Sequence, residues 1–156
     1  FDTVLMLDII EHLTDPEAFV EKLRNAGSKS PDIEFIVSTG NIAFFIMRFM
    51  LLIGQFNYGK RGILDRTHTR LFTFATIHRL FEQRGFEVLS STGIPAPFPL
   101  ALGDNALAIS LVKINSLLIK INRGFFSYQI FLRIRAKHSL PWLLERAHSR
   151  LSDKES

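Results

Sequence analysis

Three residues near the start of the chain could do chemistry together. Asp8, Glu11 and His12 stand at i, i+3 and i+4 in "LDIIEHLTDP". If the chain turns helically as it leaves the apolar "VLML", all three project from one face. Two carboxylates and a neutral imidazole suit a hard divalent ion such as Mg²⁺ or Mn²⁺, and the imidazole extends the choice to Fe²⁺, Co²⁺ or Zn²⁺. Without a metal, His12 can act as a general base with a carboxylate orienting it. A purely structural use is also open, with Asp8 bonding loop amides and His12 packing beside a helix. A second imidazole, His68, lies in "GILDRTHTRLFTF", three residues after Asp65 and two before Arg70. It joins this chemistry only if the fold carries it over Asp8.

Other chemistries are excluded by residue type. "GQFNYGKR" comes close to a phosphate-cradling loop, but Arg61 stands where a Ser or Thr must reach Mg²⁺, and no helix is expected after Gly62. No Ser sits in a nucleophile-elbow pattern. The chain has no Cys, which removes disulfides, thiolate zinc sites and cysteine nucleophiles together and fits a cytoplasmic protein.

The elements that must position the cluster are legible as apolar runs. Residues 2–8 form a short run without alternation, as in a strand buried on both faces of a parallel sheet. Thr14 and Glu17 have capping-box spacing with Pro16 in the first turn; Phe19, Val20 and Leu23 make one apolar helix face, and Gly27 marks its end. "IEFIVST" at 33–39 reads as the next buried strand. Strand, helix, strand in this span is one βαβ unit of an open, doubly wound α/β sheet, whose ligands bind at the carboxyl ends of the strands. That is where Asp8, Glu11 and His12 fall.

Further on, 42–53 reads as a helix and 54–71 as a long loop. Residues 74–84 are expected to be helical and 86–92 extended. Helical spacing recurs over 104–122, and 125–136 has strand composition. The whole is 156 residues with 47% hydrophobic content, enough for one domain with a core. The longest apolar run, "IAFFIMRFMLLI", is twelve residues interrupted by Arg48, short of the roughly 18–20 that cross a bilayer. The strand-like start immediately after Phe1 reads as the C-terminal part of something longer.

Charge is segregated. Residues 1–112 hold 10 Lys+Arg against 12 Asp+Glu, and residues 113–156 hold 9 against 3. The basic end is either a solvated tail or a surface for phosphate or anionic lipid at the inner membrane face. It carries no recognisable nucleic-acid motif.

With these residues in view, the chain resembles the C-terminal half of a class I S-adenosylmethionine-dependent methyltransferase. The carriers are "FDTVLMLDIIEHLTDPEAFVEKLR", similar to the family's fourth strand and helix, "FIVSTGN", similar to its fifth strand, and "GILDRTHTRLFTFATIHRLFEQRGFEVL", similar to its following loop, helix and sixth strand. "FSYQIFLRI" would then be the last, antiparallel strand. The resemblance implies a truncated Rossmann-like sheet of about the last four of seven strands over 1–136, with a helical insertion at 98–122 and a polar basic tail at 137–156. It implies S-adenosylmethionine as cofactor, bordered by Leu7 and Asp8, and methyl transfer, most simply to a substrate oxygen.

Among relatives, the ubiquinone-pathway O-methyltransferases and small-RNA 2′-O-methyltransferases carry an "E-x-x-E-H" segment that binds a divalent ion. By position those metal ligands are Asp8, Glu11, His12 and His68. Asp8 replaces the usual Glu and is one methylene shorter. Of the family's "P-N" only Asn41 matches. Asn41, Tyr58 and Arg70 are the implied substrate contacts, and His12 with Glu11 the catalytic pair. The implied acceptor is a small molecule or a lipid- or glycan-linked one, with peripheral membrane contact. The glycine-rich loop and ribose-binding acid of the family do not occur in these residues, so the chain alone is expected to bind the cofactor poorly. Two rivals stay open: a non-catalytic methyltransferase-like module that binds a partner or a membrane through 105–136, and a metal-dependent hydrolase.

Overall fold

The computed structural model describes residues 3–28 and 33–138. From residue 139 onward the expected basic tail lies outside them. Four strands form one sheet: β1 (Thr3–Leu7), β2 (Glu34–Gly40), β3 (Phe86–Ile94) and β4 (Gln129–Ala136), in the order β1-β2-β4-β3. β1 and β2 are parallel, with Thr3 opposite Glu34 and Leu7 opposite Ser38. β4 runs antiparallel to both of its neighbours, so β1, β2 and β3 all point the same way.

The crossover from β1 to β2 is helix α1 (Pro16–Gly27). Its cap is one residue later than the Thr14 spacing predicts. Asp15 accepts from the Ala18 amide at 2.8 Å, because Pro16 occupies the first helical position and places the cap directly before itself. Gly27 ends the helix without a left-handed turn. Its value is space, since a Cβ there would sit 3.0 Å from the Phe35 ring.

Helix α3 (Phe74–Glu82) begins at a box in which Thr73 and Thr76 each bond the other's backbone amide. It lies with α1 on one face of the sheet. Val20, Ile77, Leu80 and Phe81 from these helices pack on Met6, Phe35, Val37, Phe86, Ile130, Leu132 and Ile134 from the strands, forming the main core.

Burial on both faces, expected of β1 and β2, is reached by neither: in β2 Phe35, Val37 and Thr39 are buried on the core side while Glu34 and Ile36 opposite are half-buried, and β1 is more open still. Leu5 and Leu7 are 60% and 50% exposed. They share the sheet's other face with Glu34, which pairs with Arg133 and Arg135 across β4. Within the described residues β1 is an edge strand, paired on one side only.

Helix α2 (Phe45–Leu52) leaves β2 through a turn, and the long loop that follows is held by bridges between Asn41 and Phe72 and between Gly59 and Asp65. The insertion is two helices, α4 (Phe98–Leu102) and α5 (Ala106–Ile121). Strand β4 starts later than composition suggests. Asn122 caps a short turn, α6 (Arg123–Phe126), by accepting from the Phe125 amide, so the aromatic pair Phe125–Phe126 is helical and pairing begins at Gln129. No helix among the described residues is long and apolar enough to cross a membrane.

Candidate functional site

The polar cluster forms at the carboxyl end of the sheet because three strands deliver residues there. At the end of β1 the chain turns sharply at Asp8, which takes φ +52°. This left-handed conformation suits Asp better than most residues, since a short polar side chain can bond locally. Ser38 of β2 makes that bond. The Asp8 amide donates to the Ser38 carbonyl and to Ser38 Oγ, each at 3.1 Å, and Ser38 Oγ donates to Asp8 Oδ1 at 2.9 Å. From β4, Gln129 Nε2 donates to the same Oδ1 at 2.6 Å.

A single 3₁₀ turn, Ile10–His12, follows. Ile10 enters the core, Glu11 is buried at 3% exposure, and His12 faces solvent. The long loop is pinned against this turn. The Glu11 carbonyl accepts from the amides of Thr69 (2.9 Å) and Arg70 (3.2 Å), and Thr69 Oγ1 donates to the carbonyl of Leu13 at 2.7 Å.

These bonds bring His68 to His12. Their rings meet edge to face with centroids 4.8 Å apart. His12 Nδ1 lies 3.2 Å from the carbonyl of Thr67, and His68 Nδ1 lies 2.9 Å from that of Ile63. A carbonyl can only accept, so each neutral ring carries its proton on Nδ1 and leaves the Nε2 lone pair available. Asp65 fixes the loop between the two imidazoles. It accepts from the amide and hydroxyl of Thr67 (2.8 and 2.7 Å), and these bonds hold its carboxyl below the usual value.

Asp8, Glu11, His12 and His68 thus line one cleft of about 380 Å³, together with Arg61, Tyr128 and Gln129. A larger hollow of about 620 Å³ between Arg24 and Gly85 lies at the amino end of the strands and holds none of the cluster.

Burial raises the Glu11 pKa. The Asp8 charge pushes the same way, against the backbone amide of Glu11, the Thr39 hydroxyl and His68. Glu11 Oε2 has no hydrogen-bond partner. The folded chain therefore holds this proton at pH values where the unfolded chain, near 4.5, has released it. That contribution to stability is complete below 4.5 and is lost as pH rises through the folded value. Glu11→Gln is expected to remove this part of the decline, seen as a flatter thermal midpoint as pH rises above 4.5.

The implied substrate contacts are not brought together. Asn41 is fully buried, and its amide is committed inside the protein. Nδ2 donates to the carbonyls of Gly124 (3.1 Å) and Ser127 (2.8 Å), while Oδ1 accepts from the Ala43 amide (3.1 Å). Arg70 turns away to pair with Glu17 of α1 and lies over Phe72. Tyr58 is exposed against Phe56, away from the cleft lining. Leu7 stands exposed at the end of β1 and is not part of the cleft lining.

The four implied metal ligands share the cleft without forming a ligand set. Asp8 Oδ1 is already taken by Ser38 and Gln129, and among the described residues no three His, Asp or Glu side chains are placed to hold an ion.

Residues that local spacing does not reveal are Gln129, Tyr128 and Arg61. Gln129 reaches Asp8 across 121 residues of chain, and its type alone gives no sign of it.

No family model and no curated protein matches the sequence. Solved structures do match. The small RNA methyltransferase HEN1 superposes with TM-score 0.50 at 17% identity, over 88% of this chain and 14% of that one. A SAM-dependent methyltransferase from Archaeoglobus fulgidus gives 0.47 at 20% identity, over 88% and 59%. The [4+2]-cyclase SpnF gives 0.49 at 12%, over 89% and 50%. The chain thus spans less than two thirds of each of these structures. Its four strands have the class I S-adenosylmethionine-dependent methyltransferase fold.

Proposed function

We propose that this chain, with the fold of a class I S-adenosylmethionine-dependent methyltransferase, forms the acceptor side of a methyl-transfer site and that His12 is its general base. One observation carries the reading: the carboxyl end of the sheet holds an exposed imidazole that lines the cleft and whose Nδ1 meets the Thr67 carbonyl, so that its lone pair is left on Nε2. Fold alone does not fix a reaction, and the proposal rests on this geometry in addition to it.

S-adenosylmethionine, when bound, supplies a methyl group on a sulfonium sulfur that an acceptor oxygen can displace. Leu7 is the residue that would border it, being an uncovered apolar side chain at the end of β1. Asp8 would contribute through its position, with Oδ1 held by Ser38 and Gln129. An acceptor hydroxyl is a weak nucleophile while it keeps its proton. His12 Nε2 would take that proton as the oxygen attacks, and the bound donor would supply the methyl group with its thioether as leaving group. His68, packed edge-on against His12, confines the ring to one orientation. The donors as they stand do not make a metal site, so no step runs through a metal.

The direct test is methyl transfer by the full-length natural protein from isotopically labelled S-adenosylmethionine, with the label found as an ether or ester methyl in the product. Chelation by EDTA is expected to leave the rate unchanged. A rate lost on chelation and restored by Mg²⁺ or Mn²⁺ would mean that Asp8, Glu11, His12 and His68 rearrange into a ligand set. Product lacking the label, with substrate cleaved by water, would establish the hydrolase instead. By calorimetry, the 156 residues alone are expected to show no low-micromolar binding of the cofactor.

A further inference from the structure

The cleft at His12 does not end at its own polar walls. Arg61, Gly62, Pro97, Leu100 and Tyr128 line it, and the same five residues line a second hollow of about 490 Å³ running between α2 and α4. The two spaces therefore adjoin, with Tyr128 and Gly62 in the wall common to both. Gly62 has φ +94°, and a Cβ on it would lie 3.2 Å from the Tyr128 hydroxyl, so the chain passes close to the ring there.

The second hollow is apolar. Its floor is the small core of Phe44 and Ala96, with the Tyr128 ring 5.7 Å from that of Phe44. Its walls are Ile46 and Met47 of α2 and Phe98, Leu100 and Ala101 of α4. Leu100 is 88% exposed, beyond what a lone surface leucine explains given apolar neighbours on both sides.

Charge is equally one-sided. Among the described residues Arg61 is the groove's only charged lining residue. Between Glu34 and Asp65 the sequence has no carboxylate, only Arg48, Lys60 and Arg61. An apolar trough with a cation where it meets a polar cleft matches one kind of molecule.

We infer that the acceptor is an anionic amphiphile. Its apolar tail lies in the α2–α4 groove, its phosphate or carboxylate meets Arg61 at the junction, and the group to be modified reaches His12. This rests on the proposed reading of the cleft only for the fate of the reacting end. Tail binding requires no methyl donor and can be measured separately.

The test is calorimetric titration of the chain with alkyl phosphates below their micelle concentrations. Affinity is expected to rise from octyl to decyl to dodecyl phosphate, by up to about fourfold per added methylene, and then to level off when the groove is full. Inorganic phosphate and dodecyltrimethylammonium should bind at least tenfold more weakly than dodecyl phosphate. Leu100→Asp, at an exposed position that leaves the core untouched, should weaken dodecyl phosphate at least tenfold, as should Ala101→Trp, which fills the groove. Arg61→Gln should bring dodecyl phosphate to the level of the neutral dodecyl maltoside. An unchanged circular dichroism spectrum and thermal midpoint would show that these variants fold.

Equal binding of the cationic and anionic probes would overturn the inference. So would dodecyl phosphate binding that both groove substitutions leave intact. Association with phosphatidylglycerol vesicles that ignores Leu100→Asp and Ala101→Trp would assign the apolar surface to a membrane and likewise overturn it. Failure of the labelled-methyl assay with these binding results intact would remove the transferase reading and leave the amphiphile site standing.

Discussion

His12→Ala should lower kcat for methyl transfer by about 10²- to 10⁴-fold, the range for loss of a positioned general base, with KM little changed. The size follows from the role. The imidazole acts on the proton that leaves as the oxygen attacks, so its loss falls on the transition state rather than on binding. His12→Asn is the sharper variant. An amide at this position can still donate toward the Thr67 carbonyl, which His12 Nδ1 meets at 3.2 Å, and so keep the local structure while lacking a base. It should be as slow as the alanine variant. If Asn restored the rate, the ring would be a positioning residue. If Ala stayed within tenfold of the parent, the non-catalytic module would be the better account. That rival makes its own demand: charge reversal at the exposed Lys113 and Lys120 of α5 should then abolish function while His12→Ala leaves it intact.

The second large effect is on stability. Asn41→Ala should destabilise the fold by about 3 kcal/mol, read from the urea midpoint with the slope unchanged. The side chain ties the turn after β2 to the end of α6. It supplies donors to the carbonyls of Gly124 and Ser127 and an acceptor to the Ala43 amide, all from a fully buried position. Alanine leaves two carbonyls and one N–H without these partners, each worth about 1–3 kcal/mol when buried, and partial relaxation keeps the sum below the maximum. Against a typical total of about 5–15 kcal/mol this is severe. The sequence resemblance implies a different outcome, since a substrate contact would raise KM and leave the midpoint in place. Measuring both in one variant separates the two.

What could be read from sequence follows the range of each interaction. Strands and helices appear as apolar runs and helical spacings because burial is decided within a few residues. The pattern of Asp8, Glu11 and His12 is equally local, and a single turn is enough to bring them to one cleft. His68 was visible as an isolated imidazole, but its meeting with His12 depends on Thr69 and Arg70 bonding the carbonyl of Glu11, which leaves no mark in composition. Gln129 and Arg61 arrive through sheet order and loop path. The Thr14 cap failed by one residue because Asp15 competes for the same role and Pro16 decides between them. The expectation of a β1 buried on both faces failed because an apolar run reports what a strand can bury, not what covers it.

The placement of β4 also sets the order in which this chain can become a sheet. It is the last strand along the described sequence, yet it sits between β2 and β3, which have no pairing with each other. While the chain is being synthesised, β1 and β2 can zip around α1, but β3 has no strand to join until residues 129–136 have emerged. Closure then needs contacts across 101 residues, as between Glu34 and Arg135, and loops that long close slowly. The exposed flanks of β2 and β3 must wait during that interval, which is when such chains engage chaperones or one another. A chain stopped before Gln129 would lose the piece that joins its two halves, and the cleft with it, although every residue of the His12–His68 pair would already have been made.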